Sequence, residues 1–286
     1  MSDHTGNAGS EKRLINRRNL LAGAAATSAI IATAGGASAQ AYQTSDKVAI
    51  VTGSSRGIGA ATARRLARDG FKVMLNCVVN RDLAAKVVQD IEAAGGEAVW
   101  EQADISDPAA VRRLFDVAER AFGGIDVVVA NAGIMRLAPF GEMADEDFIR
   151  MSDVNVKGSF NTLREAARRV RNGGRIISTS SSITQLRSPT YGPYAATKAS
   201  MEIFANVLAK ELKGRNISVN AIAPGLVTTS LFLDGKTDEQ VAGFAERTPH
   251  GRIGEPEDIA ATVAFLCSED GWWVNGQTVF ANGGVV

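Results

Sequence analysis

Tyr194 and Lys198 stand four residues apart in Tyr194-Ala195-Ala196-Thr197-Lys198, at the start of a stretch with helical spacing. On a helix that interval puts both side chains on one face, where they can address the same ligand. A phenol ordinarily titrates at about 10, and bringing it near 7 takes about 4 kcal/mol of preference for the phenolate. A cation at ~4 Å in an effective dielectric of ~20 supplies a comparable gross attraction. A phenol tuned in this way gives a proton to a carbonyl oxygen or, in reverse, takes one from an alcohol. Taken alone, Tyr-x-x-x-Lys is also an ordinary helix surface pair, so the reading depends on what else the chain contains. Tyr191 has no lysine four residues on and reads as a pocket or loop residue.

A second motif, Thr52-Gly53-Ser54-Ser55-Arg56-Gly57-Ile58-Gly59, follows an apolar run and opens a helical stretch. Glycines there permit a tight turn and let a pyrophosphate approach the backbone, while the free N–H groups and positive end of the helix attract the anion. The same residues satisfy Gly-x-Ser-x-Gly as Gly53-Ser54-Ser55-Arg56-Gly57, the nucleophile elbow of an α/β-hydrolase. That alternative needs a downstream acid and histidine, for which His250 is the candidate, and it places the elbow unusually early. Charge decides between dinucleotides: an acid at the end of the second strand would hold the ribose of NAD and repel a 2′-phosphate. That strand ends Leu75-Asn76-Cys77-Val78 without an acid, and Arg56 adds a positive charge suited to phosphate. NADP(H) is the expected cofactor, with NAD(H) possible.

The whole chain has 286 residues, 31 basic and 31 acidic side chains and 45% hydrophobic content, the profile of a soluble globular protein with one large domain. Balanced charge gives no reason to expect nucleic acid, whose binders carry a basic stripe. His4, His250, Cys77 and Cys267 are too few and too scattered for a zinc cluster or a disulfide framework, so no metal is expected.

Residues 1–39 have a different character: Arg17-Arg18, an apolar run over 20–34, then Ala37-Ser38-Ala39. This order reads as a secretory signal, and the run is short of the ~20 apolar residues a spanning helix needs, so no stable membrane anchor is expected. The paired arginines resemble a bacterial twin-arginine signal, with Asn16 and Leu20 where that class usually carries Ser/Thr and Phe. A periplasmic or secreted location is expected, the alternative being a cytoplasmic protein with a disordered extension. Residues 40–286 form the expected single domain.

From Lys47 onward, short β-branched runs alternate with amphipathic stretches. Strands are expected at 48–51, 73–75, 98–100, 127–130, 176–178, 217–221 and 278–280, and helices at 58–69, 82–94, 108–122, 145–171, 194–213 and 257–266. Strands apolar at consecutive positions are buried on both faces, which predicts an α/β fold: a Rossmann-type doubly wound parallel sheet of about seven strands with helices on both faces. Such sheets bind ligands beyond the carboxyl ends of their strands.

The glycine loop, Asn131-Ala132-Gly133 after the fourth strand, Asn155 within Asn155-Val156-Lys157-Gly158, Ser181 after the fifth strand, and the Tyr194/Lys198 pair come in an order that resembles the short-chain dehydrogenase/reductase family, from Lys47 to the C-terminus. The resemblance implies hydride transfer between NADP(H) and a carbonyl or alcohol, with Asn155, Ser181, Tyr194 and Lys198 as the catalytic set. Ser181 would hydrogen-bond the substrate oxygen, Lys198 would also bind the nicotinamide ribose, and Asn155 would hold a water linking Lys198 to solvent. Its thirteen-residue offset from Tyr194 selects Ser181 over Ser180 and Ser182, with an error of one position possible. The resemblance likewise implies cofactor contacts from Gly53, Ser55, Arg56, Gly57, Ile58 and Gly59. It adds Asp104-Ile105 beside the adenine, and Asn131, Ala132, Gly133 and Pro224-Gly225-Leu226-Val227-Thr228 near the nicotinamide. Asp104 could instead cap the helix near Pro108.

Met135, Leu186, Tyr191, Leu231 and Phe232 would shape an apolar pocket for a small aldehyde, ketone or secondary alcohol, beneath a lid over residues 229–248. A 3-oxoacyl group on an acidic carrier protein is a further possibility, with Arg168, Arg169 and Arg171 as its dock or simply as a solvated helix end. The helices at 145–171 and 194–213, and the segment Trp272-Trp273-Val274-Asn275-Gly276-Gln277, resemble the family's interfaces and imply a homodimer or homotetramer. An exported nucleotide-binding or sensor protein with little turnover is the alternative class, because NADPH is not regenerated outside the cytoplasm.

Overall fold

Every residue of the first strand, β1 (Val48–Val51), is buried. Its side chains divide between two cores, Ala49 and Val51 on one face and Ile50 on the other. Both faces must therefore be covered, and helices cover them. The computed structural model describes residues 46–286; the signal-peptide reading of residues 1–39 lies outside the described residues. After β1 come α1 (Gly57–Arg68), β2 (Lys72–Cys77), α2 (Arg81–Ala93), β3 (Ala98–Gln102), α3 (Pro108–Phe122) and β4 (Ile125–Ala130). There follow α4 (Asp145–Ser152), a π-helical turn (Asp153–Gly158), α5 (Ser159–Arg169), β5 (Val170–Thr179), α6 (Ile183–Leu186) and α7 (Gly192–Glu211). The chain closes with β6 (Ser218–Pro224), α8 (Ser230–Leu233), α9 (Asp238–Glu246), α10 (Pro256–Cys267) and β7 (Thr278–Ala281).

The seven strands pair in parallel in the order β3-β2-β1-β4-β5-β6-β7. Residues of α3, α5 and α7 (Leu114, Leu163, Leu208) pack on the Ile50 face. Leu66 of α1, Val87 of α2 and Val263 of α10 pack on the Ala49 face. This is the expected doubly wound sheet. Its order reverses between β1 and β4, which opens the crevice at their carboxyl ends.

The helix expected to run unbroken over 145–171 is interrupted. Asp153–Gly158 widens into a π turn and the chain re-enters α-helix at Ser159. Val154, Val156 and Gly158 are weak helix formers, and the Asn155 side chain has strong bonds to make elsewhere. Tertiary hydrogen bonds there override the regular i to i−4 ladder. Strand β5 also begins earlier than its apolar run, at Val170, and its pairing with β4 shifts register between Ile125 and Val127. In the 229–248 segment, α8 and α9 appear where periodicity was weak. They are held by local caps: Thr229 accepts from Phe232 N, and Thr237 and Gln240 form a reciprocal capping box. No helix among the described residues is long and apolar enough to cross a membrane.

Candidate active site

The glycine loop leaves β1 at Thr52 and enters α1 through Gly57, with Gly53 at φ +63° and Gly57 at φ +54°. A β-carbon on Gly53 would lie 2.7 Å from Ala132 Cα, and one on Gly59 would lie 2.3 Å from Gly53 O. These glycines let three chain segments meet. Arg56 occupies the N-cap of α1 without capping it through its side chain, and no acid stands in the first turn. Arg56 is exposed. An uncapped helix start with a nearby guanidinium fits the phosphates of a dinucleotide.

The other side chains of the loop do structural work. Ser54 Oγ donates to Val51 O at 2.7 Å and accepts from Asn76 N at 3.0 Å. Asn76, buried at the end of β2, accepts from Gly53 N at 3.2 Å and donates to Ala103 O at 2.9 Å. From the far side, Asn131 Nδ2 donates to Thr52 O at 3.0 Å and Gly53 O at 3.2 Å. Thr52 Oγ1 accepts from the main-chain N–H groups of Asn131 and Ala132. Asn131 is thus a clamp on the loop rather than a side chain free for ligand. Ser55, Ile58 and Gly59 present the start of α1 beside it.

Asp104 accepts from Ser106 N at 2.9 Å and Ser106 Oγ at 2.7 Å, and pairs with Arg150 Nη2 at 2.9 Å. Burial works to raise its carboxyl, but the Ser106 hydrogen bonds and the Arg150 guanidinium outweigh that and hold it below the usual range. Asp104 is not a helix cap. Asp107 takes that role on α3, accepting from Ala109 N at 2.8 Å. Ile105 turns its side chain into the core, and its carbonyl accepts from Asn161 Nδ2 at 3.0 Å, which leaves its main-chain N–H as the group available to a ligand.

At the end of β5 the three neighbouring serines separate cleanly. Ser180 Oγ faces Lys198 O and Glu202, and Ser182 Oγ faces Ala223 O and Asn282. Ser181 is the one that acts on the Tyr194 phenol, favouring its ionised form against burial, and its Oγ accepts from Ile183 N at 3.3 Å. Gly192 and Pro193 open α7 and Tyr191 occupies its N-cap, with the Tyr191 and Tyr194 rings edge-on at 6.4 Å. Lys198 Nζ lies 5.9 Å from the Tyr194 ring centroid and donates to Thr179 O at 2.9 Å.

The electrostatics correct the simple sequence arithmetic. Burial pushes the Tyr194 phenol up to about 12, against a smaller lowering by the Ser181 hydrogen bond. Burial also lowers Lys198 to about 8. Each group loses hydration, which disfavours phenolate and ammonium alike, and the ammonium is held on Thr179 O rather than on the phenol. The resting pair is therefore a neutral phenol beside a weakly held ammonium: a proton donor.

Asn155 is buried in the π turn. Its Nδ2 donates to Ile134 O at 2.8 Å and Thr197 Oγ1 at 3.0 Å, and its Oδ1 accepts from Ile134 N at 2.8 Å. Both amide hydrogens are engaged, so the side chain is first a clamp between the β4 loop and α7. A β-carbon on Gly133 would stand 3.2 Å from Asn155 Oδ1 and 3.3 Å from Lys198 Nζ. Gly133 keeps that shared space clear.

Pro224 closes β6 by pairing with Ala281, and Gly225 lies so close to Asn282 that a β-carbon would meet its Cα at 2.7 Å. Val227 is buried and bridges Gly254, while the Thr228 hydroxyl donates to Glu255. Gly225 N donates to Ala281 O and Thr228 N to Gly254 O, so within this loop the main-chain N–H groups of Leu226 and Val227 are the ones left to address a ligand. A β-carbon on Gly57 would meet Thr229 Cγ2 at 3.3 Å, so the two cofactor loops approach each other across the crevice. Met135 and Tyr191 pack around Tyr194, Met151 and Ile183, and the buried Phe232 meets Phe244 edge-on at 5.5 Å within the 229–248 segment.

Arg168 pairs with Glu165, Arg169 with Asp116 and Glu119, and Arg171 with Asp126. They form an ion-paired helix end, not an open basic patch. Among the described residues no group of three or more His, Cys, Asp or Glu side chains could hold a metal ion. Sequence reasoning missed Thr52, Asn76, Asn161, Thr197 and Glu202. A polar residue such as Asn76 inside an apolar strand was the available signal, because a buried amide must find partners.

A parallel doubly wound sheet, an uncapped glycine-rich helix start and a buried Tyr194–Lys198 pair beside the half-buried Ser181 at the same edge define a dinucleotide-dependent oxidoreductase. Residues 52–286 match the family model described as enoyl-(acyl carrier protein) reductase. The chain is 42% identical over 250 residues to a short-chain type dehydrogenase/reductase of Picea abies, covering 84% of this chain and 92% of the relative. It is 42% identical over 254 residues to an Arabidopsis thaliana protein named NADPH-dependent aldehyde reductase-like, chloroplastic, covering 84% and 94%. A short chain dehydrogenase from Burkholderia cenocepacia J2315, solved in complex with NADP, superposes with TM-score 0.80 at 37% identity, covering 85% and 98%. The chain belongs to the short-chain dehydrogenase/reductase family. The hydrolase alternative falls with that assignment.

Proposed function

We propose that this protein is an NADPH-dependent carbonyl reductase acting on an aldehyde or ketone, with the reverse alcohol oxidation open to the same residues. The observation that carries the reading is the Ser181 hydroxyl on a Tyr194 phenol that burial keeps protonated, with the Lys198 ammonium near the same ring. Bound reduced nicotinamide supplies a hydride to the carbonyl carbon. Ser181 orients the carbonyl oxygen and Tyr194 Oη gives it a proton, which makes the alcohol. Lys198 stabilises the phenolate left behind, and the space in front of Gly133 between Asn155 Oδ1 and Lys198 Nζ suits a water that returns the proton. The glycine loop holds the pyrophosphate and Arg56 the 2′-phosphate, and the missing acid at the end of β2 favours NADPH over NADH. The names of the relatives, which include an NADPH-dependent aldehyde reductase, support both choices.

Phe160 on α5 and Ile203 and Val207 on α7 expose apolar surface at 47%, 62% and 45%, and Trp273 does so at 86%. These faces fit a second copy of the chain, a homodimer or homotetramer that sedimentation would reveal. Residues 1–39 are part of the same reading as a twin-arginine leader that exports a folded, cofactor-loaded protein; a mature N-terminus at Gln40 in the periplasm would test it. The catalytic assignment is tested by NADPH and NADH oxidation over a panel of aldehydes and ketones, with Tyr194→Phe as control. Activity retained in that variant overturns it.

A further inference from the structure

We infer that Glu202 is a positioning residue for the reaction: from α7 it pins the segment that carries Ser181 and so sets the Ser181–Tyr194 contact. The inference rests on the carbonyl-reductase reading above. Tyr194, Lys198 and Glu202 follow one another at intervals of four, which on a helix lines them up on one face. That face meets residues 179–184 at successive points. Tyr194 meets the Ser181 hydroxyl, Lys198 Nζ donates to Thr179 O at 2.9 Å, and Glu202 Oε1 takes Ser180 Oγ at 2.6 Å and Thr184 Oγ1 at 2.9 Å. The first two helix residues belong to the chemistry. The third touches only the residues flanking Ser181.

Its bonds are suited to holding a loop. Ser180 is buried, and each of the two hydroxyls has one proton with a second acceptor in reach: Lys198 O at 3.1 Å for Ser180, Ser181 O at 3.0 Å for Thr184. A carboxylate is the stronger acceptor of the two in each case. Glu202 thus draws both sides of Ser181 onto the helix that bears Tyr194. The main chain beside Ser181 is fixed to β6, with Ser180 N donating to Ile222 O at 2.7 Å and Ser182 N to Pro224 O at 2.8 Å, but the short turn α6 that follows is tied to α7 through Thr184 and Glu202. Loss of this tether frees α6, whose Ile183 N donates to Ser181 Oγ at 3.3 Å, and with it the aim of the serine hydroxyl.

The test uses the full-length protein. Glu202→Ala is expected to lower kcat by about 10- to 100-fold, the scale of a misplacement near 1 Å, while KM for NADPH stays within about twofold because the glycine loop is untouched. Glu202→Gln, which keeps an acceptor oxygen, is expected to restore most of kcat. The Ser180→Ala/Thr184→Val double variant is expected to show the same loss, and adding Glu202→Ala to it is expected to cost nothing more. Hydrogen exchange of the amides at 183–187 in the nucleotide-free protein is expected to accelerate in Glu202→Ala and not in Glu202→Gln. Wild-type kcat in Glu202→Ala, Glu202→Gln as poor as Glu202→Ala, or losses that add to those of the double variant would overturn the inference. Absence of NADPH-linked activity in the wild-type protein would instead count against the reductase reading; the exchange comparison would then decide the tether, with unchanged exchange in Glu202→Ala refuting it.

Discussion

In the proposed reading the glycine loop would bind through main-chain N–H groups, and side chains such as Asn76 and Asn131 hold that main chain in place. Across the crevice, at residues 179–202, the work falls in the same reading on side-chain hydroxyls and an ammonium. There the main chain does much of the holding: Thr179 O takes Lys198 Nζ, and Tyr194 O takes Thr197 Oγ1. The difference follows from the tasks. A pyrophosphate is bound by several weak donors fixed in space, which backbone geometry supplies, whereas proton transfer needs one group of suitable acidity at one point. One half should therefore fail by loss of shape and the other by loss of a single atom.

The sharpest break comes from removing that atom. Tyr194→Phe should lower kcat about 10³- to 10⁴-fold with NADPH affinity, measured by fluorescence titration, nearly unchanged. Next in size is a failure of shape: Gly53→Ala forces a β-carbon to 2.7 Å from Ala132 Cα at a φ of +63°. It should cost about 2–4 kcal/mol of stability, seen as a lower Tm together with lost nucleotide binding. A charge change without a change of shape should be milder. Arg56→Ala should raise KM for NADPH about 10- to 30-fold and leave that for NADH near its original value, because only the 2′-phosphate loses its partner.

The smallest effect distinguishes the two titrating groups of the catalytic half. Tyr194, raised to about 12, stays protonated through the assay range, whereas Lys198, lowered to about 8, loses its charge as pH rises through that value. The reductive rate should fall above about pH 8, being roughly halved there relative to neutral pH. A flat profile to pH 10 would mean that Lys198 remains charged and that its burial is relieved in the working enzyme.

Much of this was legible in the chain. The continuous apolar runs at 48–51 and 127–130 required a sheet covered on both faces, and the helix expected from residue 108 is α3, although its cap is Asp107 and not Asp104. The π turn was not legible, because the sequence over 153–158 is compatible with a poor helix and only the bonds from Asn155 to Ile134 and Thr197 choose otherwise. Among Ser180, Ser181 and Ser182, three identical side chains in a row, only the family's thirteen-residue offset from Tyr194 picked Ser181, with room for an error of one position. Which hydroxyl meets Tyr194 depends on how β5 enters α6.

Periodicity, glycine placement and the four-residue interval between Tyr194 and Lys198 are local properties; they sufficed for the strand–helix alternation and a glycine-rich helix start, while Tyr194 and Lys198 stood out as a pair only beside the other motifs. The acidity of that pair is not local. It is set by the water that packing removes, and packing raised the phenol to about 12 where a bare lysine–tyrosine contact would have lowered it. Desolvation and the hydrogen bonds that answer it arise only when distant segments close over one another, so the tertiary structure alone decided the charge state in which the site rests.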